Sequence, residues 1–365
     1  MIDLQVHLTK ILLSISDWLD WSHSGITDHH RRVAFASLNL GQATGLDGAE
    51  LSRLFKAAII HDIGAVTWAE KQTLKQFDVE DTLTHCLRGQ YFVSESRLAS
   101  HLGDTILHHH DKWGGGNPGG LAGDKIPLHS RIIHLCDRLV IKIRRDDHIL
   151  GQRQEMLEAI RNLSGRVFDP NLVDVLEDIS LRPSFWLDLI HPGVGHGLET
   201  LVPWKEVYGN AIDLYQLAEI MAYAVDAKSR FTYRHSHGVA AVSQVSGETM
   251  GLSGDRPLLL ETAGLLHDLG KLTVPESILE KPGLLTHEEM NWIKQHTYYT
   301  YWFLMQAGFD PAMAEWAAFH HERLDGKGYP FGKSRTDLAL EHRIIAVADI
   351  FTAVREDRPY RPAMD

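Results

Sequence analysis

An all-α protein of two tandem helical domains is the fold this sequence predicts, and three observations predict it. Apolar residues recur at helical spacing, alternating strand patterns are scarce, and the chain repeats itself. A shift of 206 residues lays His29 over His235 and His61-Asp62 over His267-Asp268, with no gap between. The flanks agree, Ile60-His61-Asp62-Ile63-Gly64 matching Leu266-His267-Asp268-Leu269-Gly270. Further on the shift grows to 212. His108-His109 then falls on His320-His321, Pro118 on Pro330, Arg131-Ile132-Ile133 on Arg343-Ile344-Ile345, and Asp137 on Asp349. His85 is the counterpart of His296. The first copy is therefore expected over residues 1–190, a linker over 191–205 and the second copy over 206–365.

Each copy opens on a helix, Leu4 to Trp18 in the first and Ala211 to Val225 in the second. Glu50 to Ile60 and Leu258 to Leu266 are apolar helical runs that end on the two His-Asp pairs. The glycine just past each pair suits a helix C-terminus. Gly114 to Pro118 and Asp325 to Pro330 read as loops. Leu189 to Trp204, rich in Gly, Pro and His, reads as the linker, with His191 and His196 as exposed residues rather than ligands. After Asp137 the first copy continues through a helix, a turn at Gly165 to Pro170 and a further helix. The second copy runs only 16 residues past Asp349 and is expected to lack those terminal helices.

Composition narrows the function. A length of 365 residues suits two domains, and a hydrophobic fraction of 44% can supply a core for each. A formal charge of −12 argues against DNA or RNA as a general partner. The two cysteines, Cys86 and Cys136, give no disulfide framework and fit a reducing cytoplasm. Neither a signal peptide nor an apolar run of membrane-spanning length is expected.

Chemistry concentrates in the second copy. His235, His267, Asp268, His296, His320, His321 and Asp349 offer more donors than one metal ion needs. Carboxylates beside imidazoles suit hard or borderline transition metals rather than thiolate-bound zinc. A two-metal site can activate water and clamp both the attacking and leaving oxygens of a phosphodiester.

These residues resemble the HD-GYP family, the HD-superfamily phosphohydrolases that open cyclic dinucleotides such as cyclic di-GMP. The resemblance covers essentially the whole chain as two HD-type copies. It is most specific in His267-Asp268-Leu269-Gly270-Lys271, His320-His321-Glu322, Asp325-Gly326, Gly328-Tyr329-Pro330 and Arg358-Pro359-Tyr360-Arg361. It implies a binuclear, sometimes trinuclear, iron or manganese centre held by the seven residues above, with Asp268 bridging. It also implies that Lys271 acts on the reacting phosphate, where a fixed cation neutralises developing charge. Arg358 and Arg361 sit where the family contacts phosphate, a contact suited to the forked guanidinium. Tyr329 sits where the family's loop approaches the nucleotide, and loop packing is its competing reading. Lys327, Arg323 and Arg343 are weaker candidates. Trinuclear members carry a Glu four residues before the first ligand His. Phe231 and Gly25 occupy that position here, so two metal ions are expected in the second copy.

The first copy departs selectively. It keeps ligand-type residues at His29, His61, Asp62, His85, His108, His109 and Asp137, which admit a second metal site. His110 makes a one-residue slip conceivable there. Lys271 is replaced by Ala65, Tyr329 by Asn117, Asp325 by Trp113, and Arg358 and Arg361 by Asp146 and Ile149. An acidic residue in place of a phosphate-binding Arg opposes an anionic ligand.

The expected activity is that of a cytoplasmic, metal-dependent phosphodiesterase that opens cyclic di-GMP or 3',3'-cyclic GMP-AMP to a linear 5'-phosphorylated dinucleotide. The second copy is the catalytic one and the first a regulatory one. Two alternatives stand beside it, a cyclic-dinucleotide-binding signalling protein with little turnover, and another nucleotide phosphohydrolase of the HD superfamily. A homodimer is among the assemblies the sequence admits.

Overall fold

The computed structural model of the chain describes residues 6–21, 28–77, 82–194, 198, 201, 207–208, 210–228 and 235–356. The first copy runs α1 (Leu8–Leu19), α2 (His29–Ala43), α3 (Gly48–Ile59), α4 (Trp68–Leu74), α5 (Leu83–Ser94), α6 (Gly103–Leu107), α7 (Leu128–Ile141), α8 (Ile149–Arg161), α9 (Pro170–Ser180) and α10 (Pro183–Ile190). The second runs α11 (Ala211–Asp226), α12 (His235–Thr249), α13 (Arg256–Leu266), α14 (Glu276–Leu279), α15 (His287–Ala307), α16 (Pro311–Ala318) and α17 (Leu340–Arg355). The fold is all-α. One short ribbon is added to the helices expected from the sequence, a two-residue strand Val6–His7 paired antiparallel with Val207–Tyr208. No helix among the described residues is long and apolar enough to cross a membrane.

Local chemistry sets the helix ends that carry the sites. Asp47 caps α3 by accepting from the Ala49 and Glu50 amides, both at 2.9 Å. Thr286 and Glu289 form a capping box on α15, which stops at Gly308 with φ 81°. Asp310 caps α16, and Pro311 occupies its first turn.

The two copies pack on each other reciprocally. The first helix of copy one, α1, lies against α15, the His296 helix of copy two. Ser14 donates to the Phe303 carbonyl at 2.9 Å, and Trp21 stacks edge-on against Tyr299 at 4.6 Å. In return α11, the first helix of copy two, lies against α5, the His85 helix of copy one. There Phe92 and Tyr223 stack at 6.1 Å. One continuous apolar core runs from Ile11 to Ala348. Within the expected linker, Val194 and Leu198 are buried in that core and His191 is exposed, while His196 lies outside the described residues.

The glycines after the two His-Asp pairs have a different role from the one their position suggests. Neither takes the left-handed conformation of a helix-ending glycine. A Cβ on Gly64 would lie 2.0 Å from the His85 carbonyl oxygen, and one on Gly270 would lie 1.9 Å from that of His296. Each glycine lets the chain press its His-Asp corner against the helix bearing the next ligand-type histidine. Gly64→Ala and Gly270→Ala should each destabilise the fold by at least ~1–3 kcal/mol, lowering the melting temperature by several degrees. Gly48→Ala, where an added Cβ meets nothing within 4 Å, should leave it unchanged. A melting temperature unaffected by Gly270→Ala would contradict this packing.

Candidate metal centres

In the second copy three helix ends and two helix faces converge. His235 opens α12, anchored by Asp226, which accepts from the Ser236 amide at 3.2 Å and hydroxyl at 2.7 Å. His267 and Asp268 follow α13, His296 projects from α15, His320 and His321 follow α16, and Asp349 lies on α17. Four imidazoles commit Nδ1 outward: His267 donates to the Gly264 carbonyl, His296 to Ile293, and His320 to Ala317, at 2.8, 2.6 and 2.8 Å. His235 Nδ1 meets the Glu356 carboxylate at 2.8 Å. Fixing Nδ1 in this way leaves the Nε2 lone pairs facing inward.

Those nitrogens surround Asp268 in two sets. Asp268 Oδ2 is 3.2 Å from His267 Nε2 and 3.7 Å from His235 Nε2. Asp349 Oδ1 joins that set, 3.3 Å from His235. Asp268 Oδ1 faces the other way, 3.4 Å from His296 Nε2, which lies 3.2 Å from His320 Nε2. His321 completes this second set. The carboxylate thus turns one oxygen to each set. His267 Nε2 is buried without a hydrogen-bond partner among the described residues, a cost that a metal ion would remove.

In the second set the protonation states agree with ligation, while in the first, burial opposes protonation of His235 but the Asp349 and Glu356 carboxylates raise it to about 9. Burial pushes His296, His320 and His321 down to about 3, so their nitrogens are neutral donors at neutral pH. Burial opposes ionisation of Asp268, yet His267, Lys271 and His296 hold it well below the usual carboxylate range. Lys271 donates directly to Asp268 Oδ2. The Tyr329 ring lies 4.9 Å from the His321 ring, with the Lys294 ammonium 5.7 Å from its centre.

The Gly-Tyr-Pro loop owes its shape to Glu322, whose carboxylate accepts the amides of Phe331, Gly332 and Lys333 at 2.6, 3.1 and 2.8 Å. Arg323 pairs with Asp325 inside the same loop, Lys327 is exposed, and Arg343 is exposed and bonds the Ala339 carbonyl. None of these four faces the cluster as Lys271 and Tyr329 do. Arg358, Arg361, Phe231 and Gly25 lie outside the described residues.

The first copy rebuilds the cluster with one change of register. His109, not His108, is the counterpart of His320. Its Nδ1 bonds the Ile106 carbonyl at 2.6 Å, and its Nε2 is 3.4 Å from His85 Nε2 and 3.3 Å from Asp62 Oδ1. His110 takes the place of His321, its ring 5.1 Å from His85. His108 turns away to Asp111 at 2.8 Å. The expected His108–His109 pair is thus corrected to His109–His110. A shift of 211, the one relating His85 to His296, would have given it. His61 Nδ1 bonds Ala58, and His29 Nε2 is 3.1 Å from Asp137 Oδ1.

Sequence reading passed over three further features. Asp20 corresponds to Asp226 at the 206 shift and anchors α2 by accepting from His30 at 2.6 Å. Glu356 orients His235. Arg138, a neighbour of Asp137 in sequence, lays a buried guanidinium on Asp137 Oδ2 at 2.6 Å, where copy two has the exposed Ile350. Ala65, Asn117 and Asp146 bring no cation to the cluster. Asn117 holds its own loop through Lys112 and Leu121, and Asp146 is exposed.

A family model described as "HD domain" matches residues 14–172 and again 219–365, so each match contains one cluster. The chain belongs to the HD-domain family. Among its relatives, 3'3'-cGAMP-specific phosphodiesterase 1 of Vibrio cholerae serotype O1 is 32% identical over 100% of this chain and 86% of its own length. 3'3'-cGAMP-specific phosphodiesterase 3 of the same organism is 35% identical over 98% of this chain and 88% of its own. The cyclic di-GMP phosphodiesterase response regulator RpfG of Xanthomonas campestris is 42% identical over 41% of this chain and 39% of its own. A crystal structure of the cyclic GMP-AMP-specific phosphodiesterase V-cGAP3 of V. cholerae superposes with a TM-score of 0.68 at 27% identity, over 99% of this chain and 91% of its own.

The corrected register is open to test in an Asp268→Ala background, which leaves the HD cluster of copy one to be measured. His110→Ala should lower the iron or manganese retained after dialysis, and His108→Ala should leave it unchanged. The opposite result in elemental analysis would restore the His108–His109 pair.

Proposed function

We propose that the protein is a metal-dependent phosphodiesterase that hydrolyses a cyclic dinucleotide at the second cluster. The observation that carries this reading is Asp268, set between two groups of imidazoles with Lys271 and Tyr329 beside it. His235, His267, Asp268, His296, His320, His321 and Asp349 would hold two divalent ions, iron or manganese. When bound, such ions supply acidified water and neutralise phosphate charge. The donor set suits them, with nitrogen and oxygen ligands and no thiolate.

The chain's own groups do the rest. Lys271 orients a phosphate oxygen and opposes the negative charge that grows as water adds to phosphorus. Tyr329 offers a ring face and a hydroxyl to the nucleotide. Glu322 keeps that loop in place. Arg358 and Arg361 are assigned to phosphate contact on the family resemblance. One water adds to phosphorus, the bond from phosphorus to the 3' oxygen breaks, and that oxygen leaves as a hydroxyl. The product is a linear dinucleotide with a 5'-phosphate. The relatives matched over nearly their full length are named for 3'3'-cGAMP, which favours that substrate. Cyclic di-GMP is the second reading, favoured by relatives such as RpfG that match over less than half of the chain.

We assign the first copy a regulatory role. It lacks a lysine at Ala65, and Arg138 already supplies Asp137 with a positive partner. The experiment is chromatographic product analysis of the anaerobically loaded protein with cyclic GMP-AMP, cyclic di-GMP and cyclic di-AMP. Asp268→Ala should abolish turnover, and Lys271→Ala should lower it on the order of 100-fold with metal content intact. Asp62→Ala should leave the chemistry in place. Turnover that survived Asp268→Ala but not Asp62→Ala would reverse the roles of the copies. No turnover by the metal-replete protein would favour a binding role.

A further inference from the structure

A cavity of about 360 Å³ opens beside the first cluster, and its lining differs from what the substituted positions of copy one suggest. Four cations border it: Arg32 from α2, Lys71 on α4, Lys75 just past that helix, and Arg145 just before α8. His29 and Asp62 of the cluster form one side, and Leu74, Val140 and Ile143 supply an apolar wall. The two carboxylates in the lining are already engaged, Asp20 by His30 at 2.6 Å and Asp62 by His85 and His109 at 3.2 and 3.3 Å. Arg32 Nε is buried without a hydrogen-bond partner among the described residues. Arg32 also feels Arg145 as a like charge. Cations gathered around a concave space with their local acids otherwise occupied form an anion site. The cations come from positions with no counterpart among the phosphate-binding residues of copy two.

We propose that this cavity binds a 5'-phosphorylated nucleotide, and that its occupancy is felt at the second cluster. A phosphate monoester carries about −1.5 to −2 charges near neutral pH, more than a single bridging diester, and so matches four converging cations better. The volume lies near the lower end of the range for small-ligand sites, about 300–1,000 Å³, which favours a mononucleotide or the phosphorylated end of a linear dinucleotide over a whole cyclic one. The apolar wall takes the base or sugar.

The route to copy two is direct. The Trp68 amide, which opens α4, donates to Glu276 Oε1 at 3.0 Å. Glu276 also meets the buried Lys228 ammonium at 3.3 Å, and Lys228 donates to the Leu272 carbonyl at 2.6 Å. Leu272 follows Lys271 in the same 3-10 turn. An anion that draws Lys71 and Lys75 inward therefore pulls on the helix tied to the turn that carries Lys271. The binding half of this proposal stands apart from the phosphodiesterase reading. The coupling half rests on it.

The test is calorimetric titration of the full-length, metal-loaded chain with GMP, a linear 5'-phosphorylated diguanylate and cyclic di-GMP. Asp268→Ala removes the second cluster from the measurement. In that variant GMP or the linear dinucleotide should still bind, and cyclic di-GMP more weakly. Combining Arg32→Gln and Lys75→Gln should weaken binding at least about tenfold, by loss of charge-assisted hydrogen bonds. Arg145→Glu, at an exposed position that cannot disturb the core, should weaken it in the same direction. Binding that vanished with Asp268→Ala, or that ignored all three cation changes, would overturn the site. For the coupling, saturating GMP should shift the rate of dinucleotide hydrolysis in wild type and not in the Arg32→Gln, Lys75→Gln variant. Equal shifts in both would overturn the coupling alone. Absence of hydrolysis would count against the phosphodiesterase reading and leave the binding result standing.

Discussion

Everything in the second half of the chain is arranged around one buried carboxylate. Asp268 is 2% exposed and ionised, a state that burial alone would forbid. Imidazole nitrogens face each of its oxygens, and each of four rings has its other nitrogen tied outward to a carbonyl or to Glu356. The apolar core supplies the stability for this arrangement, and the helix ends supply the aim. Gly270 brings the His267-Asp268 corner against α15 closely enough for His296 to reach the same carboxylate. Without that approach the two donor sets would not share a bridge.

The two copies solve the same electrostatic problem differently. In copy two no guanidinium pairs with Asp349 among the described residues, and His235 is its near neighbour at 3.3 Å. In copy one Arg138 satisfies Asp137 from within the protein, through two nitrogens at 2.6 and 3.1 Å. A buried carboxylate with a buried arginine already on it gains less from a metal ion. The cations that copy one lost from the equivalents of Lys271, Arg358 and Arg361 are replaced by others bordering a neighbouring cavity. That pattern is the ground on which we propose a regulatory, ligand-sensing role for copy one. Its reciprocal packing, α1 on α15 and α11 on α5, gives each site a mechanical link to the other copy.

The helices and their pairing into two copies were legible because apolar periodicity and a repeated His-Asp pair are local, high-contrast signals. The seven ligand-type residues of copy two stood out for the same reason, six of them falling into two close groups and Asp349 lying 3.3 Å from His235. The His108 register was misread because the shift of 212 that fits Pro118 and Asp137 was carried back onto three consecutive histidines, where the shift of 211 relating His85 to His296 still holds and aims His109 at Asp62. Glu356 and Glu322 were not legible as site residues. Their contacts span 121 and 9–11 residues and depend on where a helix end and a loop happen to return. Gly64 and Gly270 were visible, but their spacing suggested a turn, and only the packed helix shows the true constraint. The cavity cations escaped because Arg32, Lys71, Lys75 and Arg145 look like ordinary surface charges until α2, the end of α4 and the segment before α8 bring them together.

The claim that Asp268 bridges two ions is tested most directly by anomalous scattering from crystals of the iron- or manganese-loaded protein. The account predicts two peaks in the second cluster, one on each side of Asp268, the first bounded by His235, His267 and Asp349 and the second by His296, His320 and His321. A single peak, a third peak in the same cluster, or two peaks on one side of Asp268 would contradict it.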